Sequence, residues 1–160
     1  MSQHPTPGRR PLDQRDLALI SELESDGRMA ISELAKRIGV AESTCHKRLH
    51  ALVDSGVIRG FRAEVEPAAL DLQIEALISI RIHPHARRSL REFQGFLEAL
   101  AETRHVYFVS GERDFLVHVA VRDTTALRSL VSERISMREE VAATNTSLIF
   151  DFASRGLTAQ

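Results

Sequence analysis

ISELAKRIGVAESTCHKRLHALVDSGVIRGFR, residues 31–62, is the stretch on which the reading of this chain turns. Ile31, Leu34, Ala35 and Ile38 recur at i, i+3, i+4 and i+7, the apolar face of a short helix. Gly39 closes that helix, because the tight turn after it needs a positive φ that glycine adopts without strain. A further helix runs over 42–54 with Cys45, Leu49 and Leu52 facing inward. Its opposite face carries Ser43, Lys47, His50 and Asp54, flanked by Thr44, His46 and Arg48. Ser55 and Gly56 end it. Residues 57–65 then read as an extended strand or small hairpin, and Pro67 closes the unit.

Helix, glycine turn, helix and hairpin make a winged helix-turn-helix. A helix that enters a major groove about 12 Å wide must be held from behind and must offer donors in front. The charge agrees with this. The chain as a whole has a formal net charge of −1, yet residues 36–62 hold six Lys/Arg against two Asp/Glu, with His46 and His50 in addition. A local basic excess suits a polyanion. Ser43, Thr44, His46, Lys47, Arg48 and His50 are therefore the candidate contacts to double-stranded DNA.

Upstream, Leu12, Asp16, Leu19, Ile20 and Leu23 share one helical face, and Asp13 with Asp16 fits a variant capping box. Asp26-Gly27 ends this helix. Asp16 has two readings, a local cap or a buried ion pair with Arg48 that sets the angle of the helix 42–54. Arg48 equally reads as a phosphate contact. Cys45 reads as a small core residue. Residues 1–11 hold three of the five prolines and form an expected disordered tail, in which Arg9 and Arg10 are solvated or touch phosphate.

Downstream the period changes from helical to two. Ile74, Ala76, Ile78, Ile80 and Ile82 alternate with mostly polar residues, a half-buried strand that Pro84 stops. Leu90, Phe93, Leu97 and Leu100 mark a helix, 106–109 a second strand and 115–121 a third. A helix over 124–137 and a last strand over 141–152 complete the order βαββαβ, the ferredoxin-like arrangement. Its two helices cover one face of the sheet. Leu116, His118 and Ala120 on the other face suit contact with another subunit better than open water. The fold class is thus α+β. The expected organisation is a tail over 1–11, the winged helix-turn-helix over 12–66, the ferredoxin-like domain over 67–156 and a tail over 157–160.

Composition bounds the rest. A chain of 160 residues, 43% hydrophobic and 27% charged, is globular in type. One cysteine excludes an internal disulfide framework. No apolar run is long enough to span a membrane, and the N-terminus lacks the apolar segment of a secretory signal. A cytoplasmic chain is the expectation. His83-Pro84-His85 lacks nearby Cys or acid and makes a poor metal site, so no metal is assigned.

The residues resemble the Lrp/AsnC family of leucine-responsive and asparagine-synthesis regulators. The resemblance runs almost without gaps from Leu12 to about Gly156. It is carried by Leu12-Asp13 and Asp16, by Asp26-Gly27-Arg28, and by Glu33-Leu34-Ala35-Lys36-Arg37-Ile38-Gly39-Val40. Cys45, Arg48, Leu49, Leu52 and Gly56-Val57-Ile58 continue it, and Val109-Ser110-Gly111 with Asp114 extend it into the second half. The resemblance implies a transcription regulator whose C-terminal domain dimerises, assembles further into octamers or similar, and often binds an amino acid. Three residues depart from the family pattern. Ala41 stands where a capping Ser is common, at a cost of about 1 kcal/mol. Arg113 replaces an aromatic residue, and Glu140 stands where Gly is usual.

In the family the effector lies by the turn that holds Gly111 and Asp114. An α-amino acid needs donors for its carboxylate and an acceptor for its ammonium. Backbone amides near Gly111 suit the first need and Asp114 the second. Thr144 and Thr146 add hydroxyls, Tyr107 a wall, and Arg113 is expected to point outward. The possible amino-acid effector is the only small molecule implied; no cofactor and no catalytic residue are assigned. The alternative is a tetrapyrrole decarboxylase on the same two domains, which needs basic groups clustered among Arg81, His105, Arg113 and His118. A third reading is a plain effector-binding or assembly module.

Overall fold

Asp13 opens the first helix by the mechanism its sequence predicts. In the computed structural model, which describes residues 11–153, α1 spans Gln14–Ser25. Asp13 Oδ1 accepts the Asp16 N–H at 2.9 Å, and Asp16 Oδ2 accepts the Asp13 N–H at 3.2 Å. Two amides that the helix itself cannot pair are thereby satisfied. Next comes α2, Ile31–Ile38. It ends at Gly39 with φ 67°, and the Val40 N–H returns to the Ala35 carbonyl at 3.0 Å. The third helix, α3, covers Glu42–Asp54. Ala30 and Ala41 occupy the N-cap positions of α2 and α3, and neither helix has a side-chain cap. Leu19, Leu34, Ala35, Cys45 and Leu52 are buried together where the three helices meet. Ile20, Leu23, Ile38 and Leu49 pack around them.

The strand or hairpin expected over 57–65 does not form. Val57 and Ile58 pack on the helical core, and 59–66 continues without regular structure. The Ile58 N–H is spent on the Leu52 carbonyl at 3.0 Å. A strand exists only with a ladder partner, and among the described residues none pairs with this segment. The helical unit runs to Glu64, and Val65–Phe152 forms a second unit. The expected tails lie outside the described residues, apart from Pro11, which is exposed and irregular.

The second unit is the βαββαβ array. β1 is Ile74–Ile82, α4 Leu90–Ala99, β2 Thr103–Phe108 and β3 Phe115–Val121. α5, Thr124–Ser129, continues as a π-helical turn over Leu130–Ile135, and β4 is Val141–Ile149. The helix expected over 124–137 thus changes hydrogen-bond pattern at Leu130, and the last strand ends three residues earlier than its sequence suggests. The sheet is antiparallel in the order β2-β3-β1-β4. Alternation decides which side is buried. Ala76, Ile78, Ile80 and Ile82 of β1 and Phe115, Val117, Val119 and Val121 of β3 meet Phe93, Leu97, Leu127, Leu130 and Ile135 from the helices.

The other face carries a polar chain. His118, opposite Leu77, is buried although no helix covers it. Its Nε2 lies 2.7 Å from Glu75 Oε2, and its Nδ1 lies 3.4 Å from His105 Nδ1. The Phe152 ring stands 6.2 Å from the imidazole.

Candidate functional site

Five of the six residues assigned to DNA contact stand on the outside of α3. Ser43, Thr44, His46, Lys47 and His50 are exposed, while Cys45 and Leu52 are buried behind them. His46 and His50 lie one turn apart with ring centroids at 4.4 Å. This is the division a groove-reading helix requires: polar groups forward, apolar groups against its supports.

Arg48 is placed differently. Its Nη1 lies 2.7 Å from Asp16 Oδ1 and 2.7 Å from Asp13 Oδ2. Asp16 is fully buried. The two readings of Asp16 therefore hold together: one oxygen closes the capping box and the other grips Arg48. Bonds to the two aspartates hold the Arg48 guanidinium more firmly protonated than usual. The Asp16 amide and, secondarily, Arg48 hold the Asp13 carboxyl below its ordinary 3.8. Arg48 thus ties α3 to the start of α1.

Arg37 is occupied too. It reaches Glu22 at 2.8 Å and Glu33 at 2.9 Å. Lys36, Lys47, Arg59 and Arg62 are exposed and make no ion pair among the described residues. These four supply accessible positive charge within residues 36–62, and Arg15 and Arg28 of the same unit are exposed as well. Arg9 and Arg10 lie outside the described residues.

The second candidate site is on the sheet unit. Gly111, with φ 109°, and Asp114 flank a turn that opens into a cavity of about 310 Å³. Arg81, Ile82, His83, Pro84, Arg87, Glu112 and Ala142 complete its wall. A neighbouring hollow of about 500 Å³ is lined by Phe108, Val109 and Ser110 and shares Arg87, Gly111 and Asp114 with the first. Asp114 has a structural task here. The β1–β3 ladder ends at Ile80 opposite Phe115, and a register shift follows between Arg81 and Ile82. Beyond that end, Asp114 Oδ2 accepts the Ile82 N–H at 2.8 Å, standing in for a missing strand. Its Oδ1 lies 3.6 Å from Arg87 Nη2. The carboxylate assigned to a ligand ammonium is thus half committed to the backbone.

Three of the five predicted effector residues fall elsewhere. Tyr107 sits opposite Leu116 on the face of the sheet without helices, with its ring against His105. Thr144 and Thr146 lie opposite Ile80 and Ile78, on the helix-covered side of edge strand β4. Thr144 Oγ1 is 3.1 Å from Ser136 Oγ. Neither threonine lines the cavity, because strand pairing turns both toward the helices. Arg113 is half-buried and lies outside the cavity wall. Glu140 is bound by Arg138 at 2.7 Å, which holds its carboxyl below the ordinary 4.5. Arg138 in turn stacks over the Phe96 ring at 4.6 Å. Arg87, Arg81 and His83 are the basic side chains of the wall, and the sequence assigns none of them to the effector. Their only sequence signal is a cluster of cations on both sides of Pro84. His83 and His85 stack at 5.1 Å, and no third metal ligand joins them among the described residues.

A three-helix unit with an outward polar helix, joined to a ferredoxin-like unit with an open cavity, is the build of a DNA-binding regulator with a second, ligand-binding domain. Comparison with known proteins agrees. Residues 12–59 match the model of a winged helix-turn-helix DNA-binding domain, and residues 75–155 match the Lrp/AsnC ligand binding domain. The chain belongs to the Lrp/AsnC family of transcriptional regulators. It is 44% identical to the HTH-type transcriptional regulator AldR of Mycobacterium tuberculosis, over 88% of this chain and 78% of that one. It is 30% identical to the leucine-responsive regulatory protein of Escherichia coli, over 91% and 88% of the two chains. The crystal structure of MtbAldR superposes with a TM-score of 0.80 at 38% identity, covering 94% of this chain and all of that one.

Proposed function

We propose that α3 enters the major groove of DNA and that an amino acid bound by the Gly111–Asp114 turn regulates this binding. The observation that carries the first part is the outward face of α3, where Ser43, Thr44, His46, Lys47 and His50 stand together. In this reading Lys47 holds phosphate, while the hydroxyls and imidazoles meet base edges. Arg48 is a positioning residue: with Asp13 and Asp16 it fixes the approach angle of α3. The cavity beside Asp114 supports the second part, as does kinship with a leucine-responsive relative.

The sheet face that carries Leu116 and His118 suits a second copy of the chain. A two-fold dimer presents two copies of α3 to half-sites about 34 Å apart, one turn of DNA. The family resemblance extends this to octamers; light scattering at micromolar concentration checks both states. Nothing in the comparisons supports the decarboxylase alternative. Its residues are also apart: His105 meets His118, which is joined to Glu75, whereas Arg81 stands four residues along β1 from Leu77, the partner of His118. No described helix is long and apolar enough to cross a membrane.

The test is fluorescence anisotropy with the gene's own upstream DNA. The full chain is expected to bind specifically. A folded His46→Ala, His50→Ala variant is expected to keep nonspecific binding and lose discrimination. Unchanged discrimination in that variant refutes the assignment of α3.

A further inference from the structure

We propose that Arg87 is the carboxylate-binding residue of the effector cavity, and that an α-amino acid binds by inserting its zwitterionic head between Arg87 and Asp114. This rests on the effector reading above and names the groups that would perform it. Asp114 is buried, and the Ile82 N–H on its Oδ2 locks the orientation of the carboxylate. Its Oδ1 is thereby aimed at Arg87, 3.6 Å away, longer than a hydrogen bond. The Arg87 side chain is 65% exposed, and among the described residues it has no other polar partner. The pair stands where the two hollows meet, since Arg87, Gly111 and Asp114 line both.

A loose pair of this kind is a receptor for a molecule that carries both charges. The ammonium of an amino acid donates to Asp114 Oδ1, which cannot turn away. The carboxylate takes the guanidinium fork of Arg87, which is free to swing. Parting the pair costs little, because 3.6 Å is too long for a hydrogen bond and the Arg87 end stands in water. The two new contacts are each charge-assisted. A ligand with only one of the two charges satisfies one side and leaves the other as it was.

The experiment is calorimetry on the full chain with each of the twenty L-amino acids. The tightest binder is then compared with its amide, which lacks the carboxylate, and its 2-oxo acid, which lacks the ammonium. Arg87→Gln should weaken the amino acid about tenfold or more, while leaving the amide unaffected. Asp114→Asn keeps an oxygen for the Ile82 N–H and should weaken the amino acid but not the 2-oxo acid. Equal melting of ligand-free Arg87→Gln and parent chain shows that the fold is intact. An amino acid that binds parent and Arg87→Gln alike overturns the role of Arg87 and leaves the effector reading standing. No binding of any amino acid to the parent chain overturns both.

Discussion

Each unit joins an arginine to an aspartate across two structural elements, with opposite results. In the helical unit, Arg48 meets two carboxylates at 2.7 Å and keeps only 19% of its side chain exposed. In the sheet unit, Arg87 meets one carboxylate at 3.6 Å and is 65% exposed. The first pair is a strut. A guanidinium withdrawn from water must keep its acids, because leaving it unpaired costs more than the pair itself contributes. The second pair is an opening. Water already solvates its arginine, so exchanging one partner of that arginine for another is cheap. Number of partners and burial, not residue type, separate a brace from a binding group.

The largest expected effect is on the strut. Asp16→Ala removes a fully buried carboxylate, breaks half of the capping box and strips Arg48 of its inner partner. Its urea midpoint should fall about as far as that of Leu19→Ala, where loss of a buried leucine costs about 2–5 kcal/mol. If Asp16→Ala melts like the parent chain, the strut is no strut.

Acid should loosen the same contact by degrees. Asp13 is held below its ordinary 3.8, first by the Asp16 amide and then by Arg48. A carboxyl with a depressed folded-state pKa contributes stability that is complete above its unfolded value and is lost as pH falls through the folded one. Urea melts followed by circular dichroism should therefore hold steady above about pH 5 and weaken below about pH 4. Asp13→Asn still caps the helix but does not titrate, so its decline should be shallower. An equally steep decline places the acid sensitivity elsewhere.

Outside the strut, Lys47→Ala should leave folding intact and weaken binding to all DNA sequences alike. The slope of log affinity against log salt should fall by about one unit. A loss confined to one sequence would make Lys47 a base reader. Smallest of all is the expected change in stability for ligand-free Arg87→Gln, within about 0.5 kcal/mol as for other exposed positions. A larger loss would mean that Arg87 braces the turn and that the two pairs are alike after all.

Much of this was legible from local pattern. The capping box at Asp13, the glycine end of α2, the face of α3 and the alternation of β1 all depend on residues within a turn or two of one another. What local pattern could not supply was partnership. Residues 57–65 have the composition of a strand but, among the described residues, no neighbour to pair with. Thr144 and Thr146 alternate correctly, yet pairing with Ile80 and Ile78 turns them toward the helices. Arg87 shows the same limit from the other side. It lies in the 3₁₀ segment Pro84–Ser89, 27 positions before Asp114, and only the pairing of β1 with β3 brings the two together. For Asp16 and Arg48 the sequence offers an ion pair as one of two readings, because one lies on and the other borders an apolar face, a signal that an exposed arginine does not give.

Cys45 gives the helical unit a chemical reporter that the sheet unit lacks. It is the chain's only cysteine, it is buried among the three helices, and burial pushes its thiol up from the ordinary 9.0. A thiol-specific reagent reaches its sulfur only in molecules whose helices have parted. The labelling rate, set against that of an unstructured peptide, reads the opening equilibrium of this unit alone. Adding an amino acid that binds the other unit then tests communication without any DNA present: a changed rate is a coupling free energy between the two.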